Sequence, residues 1–122
     1  MSKINLEYNR LFKPLVEQGL RLNSKEWVPA DNEVINADDP PLLIMAPAGA
    51  IDILMPVSNA ANKGLCFLIC NNSANAITLK TSADAAFTTA IALAANETTL
   101  VVCTGHATAA LGWRAIGTAS SA

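Results

Sequence analysis

The sequence predicts a mainly β domain, an antiparallel β-sandwich or jelly-roll-like barrel of about seven strands, with an N-terminal arm containing a short helix. Three observations predict it. From Leu42 onward, apolar runs of strand length recur roughly every 8–12 residues between breaks rich in Gly, Pro, Asn and Ser, the spacing of a sandwich or barrel. Ile51, Ile53 and Met55, and later Ile91 and Leu93, alternate with period two. Thr, Val and Ile fill the places between the abundant alanines, so β preference overrides the helix propensity of Ala. The chain divides into an arm and connector over residues 1–41 and a β domain over residues 42–122.

In the arm, Tyr8, Leu11, Phe12, Leu15 and Val16 fall at i, i+3, i+4, i+7 and i+8, the stripe of an amphipathic helix. Asn5 suits its N-cap. Pro14 removes a backbone donor and Gly19 costs about 1 kcal/mol against Ala, so a short helix or two joined turns is expected rather than four continuous turns. Tyr8, Phe12, Leu15 and Trp27 are candidate docking anchors, either over the chain's own core or onto a neighbour. Residues 23–41 carry Pro29, Pro40 and Pro41 among Asn, Ser and Asp, which reads as a connector with one extended piece at Glu33 to Asn36.

Seven strands are expected beyond it: Leu42 to Ala46, Ala50 to Val57, Gly64 to Cys70, Ala76 to Thr81, Phe87 to Leu93, Thr98 to Thr104, and Leu111 to Ile116. The stretch Gly64 to Thr81 reads as a β-hairpin, an apolar run followed by an Asn-Ser-Ala turn and the alternating Ile77-Thr78-Leu79-Lys80. A similar order recurs 33 residues later, from Thr99-Leu100-Val101-Val102-Cys103 to Leu111-Gly112-Trp113, as a repeated hairpin would give.

Charge is unevenly spread. Residues 1–39 hold twelve charged side chains and residues 40–122 only six: Asp52, Lys63, Lys80, Asp84, Glu97 and Arg114. A soluble domain ordinarily carries about a quarter of its residues as charges. Interface cores are depleted in charge, so the shortage points to a surface covered by copies of the chain or by a larger partner. The net charge of −2 offers no basic patch for nucleic acid. No apolar stretch approaches the ~18 residues of a membrane-spanning helix, and residues 1–10 lack a secretory h-region, so synthesis in a cytoplasm and no membrane partner are expected.

No catalytic constellation is legible, and neither a cofactor nor a metal is expected. His106, the one histidine, sits in a turn-like Thr-Gly-His-Ala-Thr. Cys66 and Cys70 lie four apart on one strand face, about 13 Å, too far for a mutual disulfide; with Cys103 they read as free, buried thiols within apolar runs. Asn71, Asn72 and Asn75 read first as turn formers, since Asn tolerates left-handed backbone geometry, and second as amides for a glycan or an ion. Trp113 and Arg114 in the last strand are candidates for core or subunit packing.

Three segments carry a resemblance. Asn72-Ser73-Ala74-Asn75-Ala76-Ile77-Thr78-Leu79-Lys80, the run from Leu93 to Cys103, and Gly112-Trp113-Arg114-Ala115-Ile116-Gly117 resemble the small β modules of tailed-bacteriophage virion proteins, capsid cement (decoration) proteins and head- or tail-fibre domains among them. The resemblance spans roughly residues 50–118. It implies a non-enzymatic structural protein of the virion, made in the host cytoplasm, a homotrimer bound to the outer surface of an icosahedral head and to its major capsid protein. The alternative it implies is a fibre or baseplate module that binds host glycan.

Overall fold

The computed structural model describes residues 21–120. Over that span lie nine strands: β1 (Ser24–Trp27), β2 (Glu33–Val34), β3 (Leu42–Met45), β4 (Ile51–Leu54), β5 (Cys66–Asn71), β6 (Ile77–Lys80), β7 (Ile91–Leu93), β8 (Glu97–Cys103) and β9 (Trp113–Ser120). They form a five-stranded sheet in the order β1-β3-β5-β8-β9 and a four-stranded sheet in the order β2-β4-β6-β7. The chain is mainly β, as the sequence predicts. The arm helix expected near residues 4–22 lies outside the described residues except for its last two positions, and Arg21 and Leu22 are not helical.

The pairing departs from an antiparallel plan. β1–β3 and β3–β5 in the larger sheet are parallel, as are β2–β4 and β4–β6 in the smaller one. Only β5–β8, β8–β9 and β6–β7 are antiparallel. Both sheets are therefore mixed, and neither closes into a barrel. The cause is the route of the chain: from β1 to β6 each strand passes to the opposite sheet, so its next neighbour is reached only after a full turn and runs in the same direction. Leu42 pairs with Leu68 and Ile51 with Ile77, both at an offset of 26 residues, while the first turn of the coil is shorter, with Ser24 opposite Leu42 and Glu33 opposite Ile53.

The hairpin expected over Gly64 to Thr81 is consequently absent. β5 belongs to the larger sheet and β6 to the smaller, so the polar turn between them is a crossing between sheets. The 33-residue echo is not a repeated hairpin either. Its two apolar halves, β5 and β8, pair with each other, Leu68 opposite Leu100. Strand length and apolar content were common to both halves, but those features do not specify which strand is the neighbour.

Residues 24–34 do more than connect. Besides β2, which falls in the expected extended piece, they supply β1, which pairs Trp27 with Met45. A turn with Asn32 at φ 59° ends with Asn32 N–H donating to Asp52 O at 2.8 Å, and Asp31 Oδ1 accepts from Asp52 N–H at 2.8 Å. These bonds fasten β2 to β4.

Inward side chains of both sheets form one core, with Leu43, Met45, Phe67, Ile69 and Val101 from the larger sheet and Ile53, Ile77, Leu79, Ile91 and Leu93 from the smaller. Trp113 closes it. The indole is 3% exposed, stacks on Phe67 at 6.0 Å between centroids, and donates from Nε1 to Pro56 O at 2.9 Å. Beside it, a Cβ at Gly112 would lie 2.3 Å from Ser58 Cβ and 3.1 Å from Ala109 O. Gly112→Ala is therefore expected to cost about 1–3 kcal/mol through overpacking. Thermal unfolding monitored by circular dichroism should show a midpoint lowered by roughly 4–12 °C; an unchanged midpoint would mean that the Ser58 loop yields freely.

Candidate interaction surface

The two sheets differ in how their strands are written. In the smaller sheet Ile-Asp-Ile-Leu, Ile-Thr-Leu-Lys and Ile-Ala-Leu broadly alternate. Its outer face accordingly shows Asp52, Thr78, Lys80 and Ala92, with Val34 and Leu54 at one end. In the larger sheet, Leu-Leu-Ile-Met of β3, Cys-Phe-Leu-Ile-Cys of β5 and Leu-Val-Val-Cys within β8 are apolar at both parities. One parity enters the core. The other places Leu42, Ile44, Leu68, Cys70, Leu100 and Val102 on the outside, each half-buried.

Register joins these side chains into rows across the sheet. Leu42, Leu68 and Leu100 form the middle row; Ile44, Cys70 and Thr98 form one flank; Cys66 and Val102 form the other. With neighbouring strands about 4.8 Å apart, and like-facing residues about 6.7 Å apart along a strand, the patch is continuous. Exposed Ile116 on β9 extends it at 69% exposure. A strand apolar on both sides ordinarily has both sides covered. The sequence signal was present in the unbroken runs at 42–46, 65–70 and 100–103, and its consequence for the second face is visible only once the sheet is assembled.

The candidate docking and packing residues fall in different places. Tyr8, Phe12 and Leu15 lie outside the described residues. Trp27 is half-buried on the inner side of β1, packed against the core, with its Nε1 donating to Glu33 Oε2 and the Lys25 ammonium 4.3 Å above its ring. Trp113 is in the core, and Arg114, the next residue, is exposed on the outer side of β9. The structure thus separates residues adjacent in sequence into an interior role and a surface one.

The asparagine cluster is committed to the fold. Asn71 is 2% exposed, and its Nδ2 donates to Asn75 O at 2.6 Å, Ala94 O at 2.9 Å and Leu93 O at 3.3 Å, while Oδ1 accepts from the Ser73 hydroxyl at 2.7 Å. Asn75 Nδ2 donates to Pro47 O at 2.9 Å. These amides tie the β5–β6 crossing to the β3–β4 and β7–β8 connections. Asn72 alone of the three is exposed, so the cluster does not present a set of free amides to a sugar.

His106 is exposed in the β8–β9 loop, where its Nδ1 accepts from Thr108 N–H at 2.9 Å. The Ser58 hydroxyl donates to the backbone carbonyl of His106 at 2.9 Å and not to the ring. The hydroxyl proton is therefore engaged in holding two loops together. All three cysteines are free thiols, but only Cys103 is buried as expected; Cys66 is exposed and Cys70 half-buried, because their parity on β5 places them on the outer face of the sheet. Among the described residues no group of three or more His, Cys, Asp or Glu could hold a metal ion, and no helix is long and apolar enough to cross a membrane.

Two recesses among the described residues bear on ligand binding. One of ≈ 170 Å³ lies where β9 and the 3-10 turn Ala109–Leu111 approach the start of β7, with Thr88, Trp113 and Arg114 in its wall. The other, ≈ 210 Å³ and wide open, has Asp31, Asp52 and Thr78 in its lining. Both are smaller than the ~300–1,000 Å³ of sites that enclose an organic ligand. Comparison with protein-family models, with curated proteins and with solved structures finds no match to this chain.

Proposed function

We propose that this chain is a structural protein that acts by assembly, specifically a capsid decoration (cement) protein on the outer surface of a tailed-phage head. The observation that carries the proposal is the apolar outer face of the five-stranded sheet, with its rows Leu42–Leu68–Leu100 and Ile44–Cys70. Exposed apolar area of this kind is favourable to cover, at about 25 cal/mol per Å². The low charge of residues 40–122 supports the same reading, because it leaves few groups to desolvate on contact. On this view the two mixed sheets act as a sandwich, one outer face polar toward solvent and the other seated in the assembly. The virion setting comes from the resemblance of residues 72–80, 93–103 and 112–117 to phage β modules.

Such a protein works through number. Each copy contributes modest contacts to itself and to the major capsid protein, and repetition over a closed shell multiplies them against internal DNA pressure. Purified chain mixed with expanded, undecorated heads is expected to cosediment with them and to raise their resistance to heating. Chain left wholly in the supernatant, over heads of the phage that encodes it, would overturn the decoration role.

A further inference from the structure

The apolar face has one charged group at each of two corners. Glu26 on β1 stands in the row Glu26–Ile44–Cys70–Thr98, whereas Arg114 on β9 stands in the row Arg114–Val102–Cys66. Both side chains are exposed, and they lie on opposite edge strands of the sheet. Four strand spacings separate them across the sheet, about 19 Å, and four residues separate their rows along it, about 13 Å. They are diagonal corners of one patch.

We propose that the occupant of this face is the same face of a second copy of this chain, packed about a two-fold axis that brings Glu26 of each copy toward the partner subunit's Arg114. An axis lying in the plane of contact exchanges two points when it bisects the line between them at right angles. It therefore superposes an acidic corner on a basic one twice, while the apolar rows between them meet. Unlike charges meeting at a rim set register and suppress other alignments more than they add affinity. The smaller sheet does not offer the same surface, since Asp52, Thr78 and Lys80 interrupt it. Among the outer sheet faces of the described residues, the apolar complement of this face is the face itself, which is the condition for an isologous contact.

Size sets the strength. Four to five strands and two to three like-facing residues per strand give a footprint on the order of 300 Å², below the ~800 Å² per partner of a stable complex. The pairing is therefore reversible, populated where copies are concentrated, as on a shell. This deepens the assembly reading and rests on it, because it names what covers the same face.

Cys66 and Cys70 are reporters on that face, and Cys103 is buried away from it. The full-length chain is examined over a range of concentrations by light scattering, with the reaction rate of its thiols toward a chromogenic aromatic disulfide measured in parallel. The expected result is a mass rising toward twice 12.8 kDa. Thiol reactivity should fall with it, by about fourfold between one tenth of and ten times the dissociation constant, as mass action for a dimer requires. Glu26→Arg and Arg114→Glu should each weaken the dimer, and the double variant should restore it; all three are surface changes whose folding is checked by circular dichroism.

A monomer with reactive thiols at every concentration overturns the pairing, and so does a monomer whose thiols are protected regardless of concentration, which would mean the chain covers its own face. A trimeric mass overturns the two-fold arrangement. Cosedimentation with heads is independent of all of these: a dimer that ignores heads defeats the decoration role and keeps the pairing, and a monomer that binds heads does the reverse.

Discussion

Trp113→Glu is expected to leave the chain unfolded at room temperature. The indole is 3% exposed, fills the end of the core against Phe67, and satisfies Pro56 O. Removing a buried tryptophan costs about 3–5 kcal/mol in lost contacts and cavity. The introduced carboxylate adds a desolvation cost of several kcal/mol, or must protonate to avoid it. Together these rival the ~5–15 kcal/mol that holds a domain of this size together. Far-ultraviolet circular dichroism should show loss of β signal, while Trp113→Phe, which keeps the stack and loses only the hydrogen bond and some volume, should melt cooperatively at a lower temperature. A Trp113→Glu protein that melts like the parent would show that the indole faces solvent.

Asn71→Asp is the second large effect, and it should exceed Asn71→Ala although it changes the shape less. The Asn71 amide donates toward three carbonyl oxygens, of Asn75, Leu93 and Ala94. Alanine leaves those carbonyls without this partner, at about 1–3 kcal/mol for the buried group or groups stranded. Aspartate turns a double donor into an acceptor-only carboxylate facing the same oxygens in a site that is 2% exposed. Its cost should be larger than that of alanine by about 1–2 kcal/mol or more. Equilibrium urea unfolding of the two variants ranks them; alanine ranking below aspartate in stability would mean that water reaches the site and solvates the charge.

Much of the fold was legible in the sequence, and the part that was not has a definite cause. The strands expected at Leu42, Ala50, Gly64, Ala76, Thr98 and Leu111 all overlap observed ones, because each is bounded by turn residues such as Asn96, which takes φ 61° before β8. The strand expected from Phe87 begins only at Ile91, since Phe87 is buried in the core from the preceding loop. β1 was missed because Ser-Lys-Glu-Trp is polar and short; its strand state comes from lying beside β3. Sheet membership was not legible at all. Pairing β5 with β3 and β8 instead of β6 depends on the path of each connection, and a short polar segment such as Asn72 to Ala76 suits a hairpin and a crossing between sheets alike.

The site was half legible. The shortage of charge after residue 39 pointed to covered surface, but not to which surface. That required the parity of β3, β5 and β8 in a sheet whose neighbours are known, for only then do Leu42, Leu68 and Leu100 fall in one row. Of the aromatic residues singled out, Trp113 packs in the core, one of the two roles expected of it, and Trp27 faces inward too, where a large side chain with a single polar atom finds both contacts and a hydrogen-bond partner.

The outer face of the five-stranded sheet is the centre of this account, and a pair of matched variants tests it most directly. Leu68→Lys puts a charge in the middle row of that face, and Thr78→Lys puts the same charge on the outer face of the smaller sheet; both positions are half-buried and outside the core. Light-scattering mass of each is compared with the parent at a concentration where the parent is assembled. Loss of assembly in Leu68→Lys alone, with both variants folded, is the predicted result. Equal assembly in the two variants, or loss confined to Thr78→Lys, would contradict it.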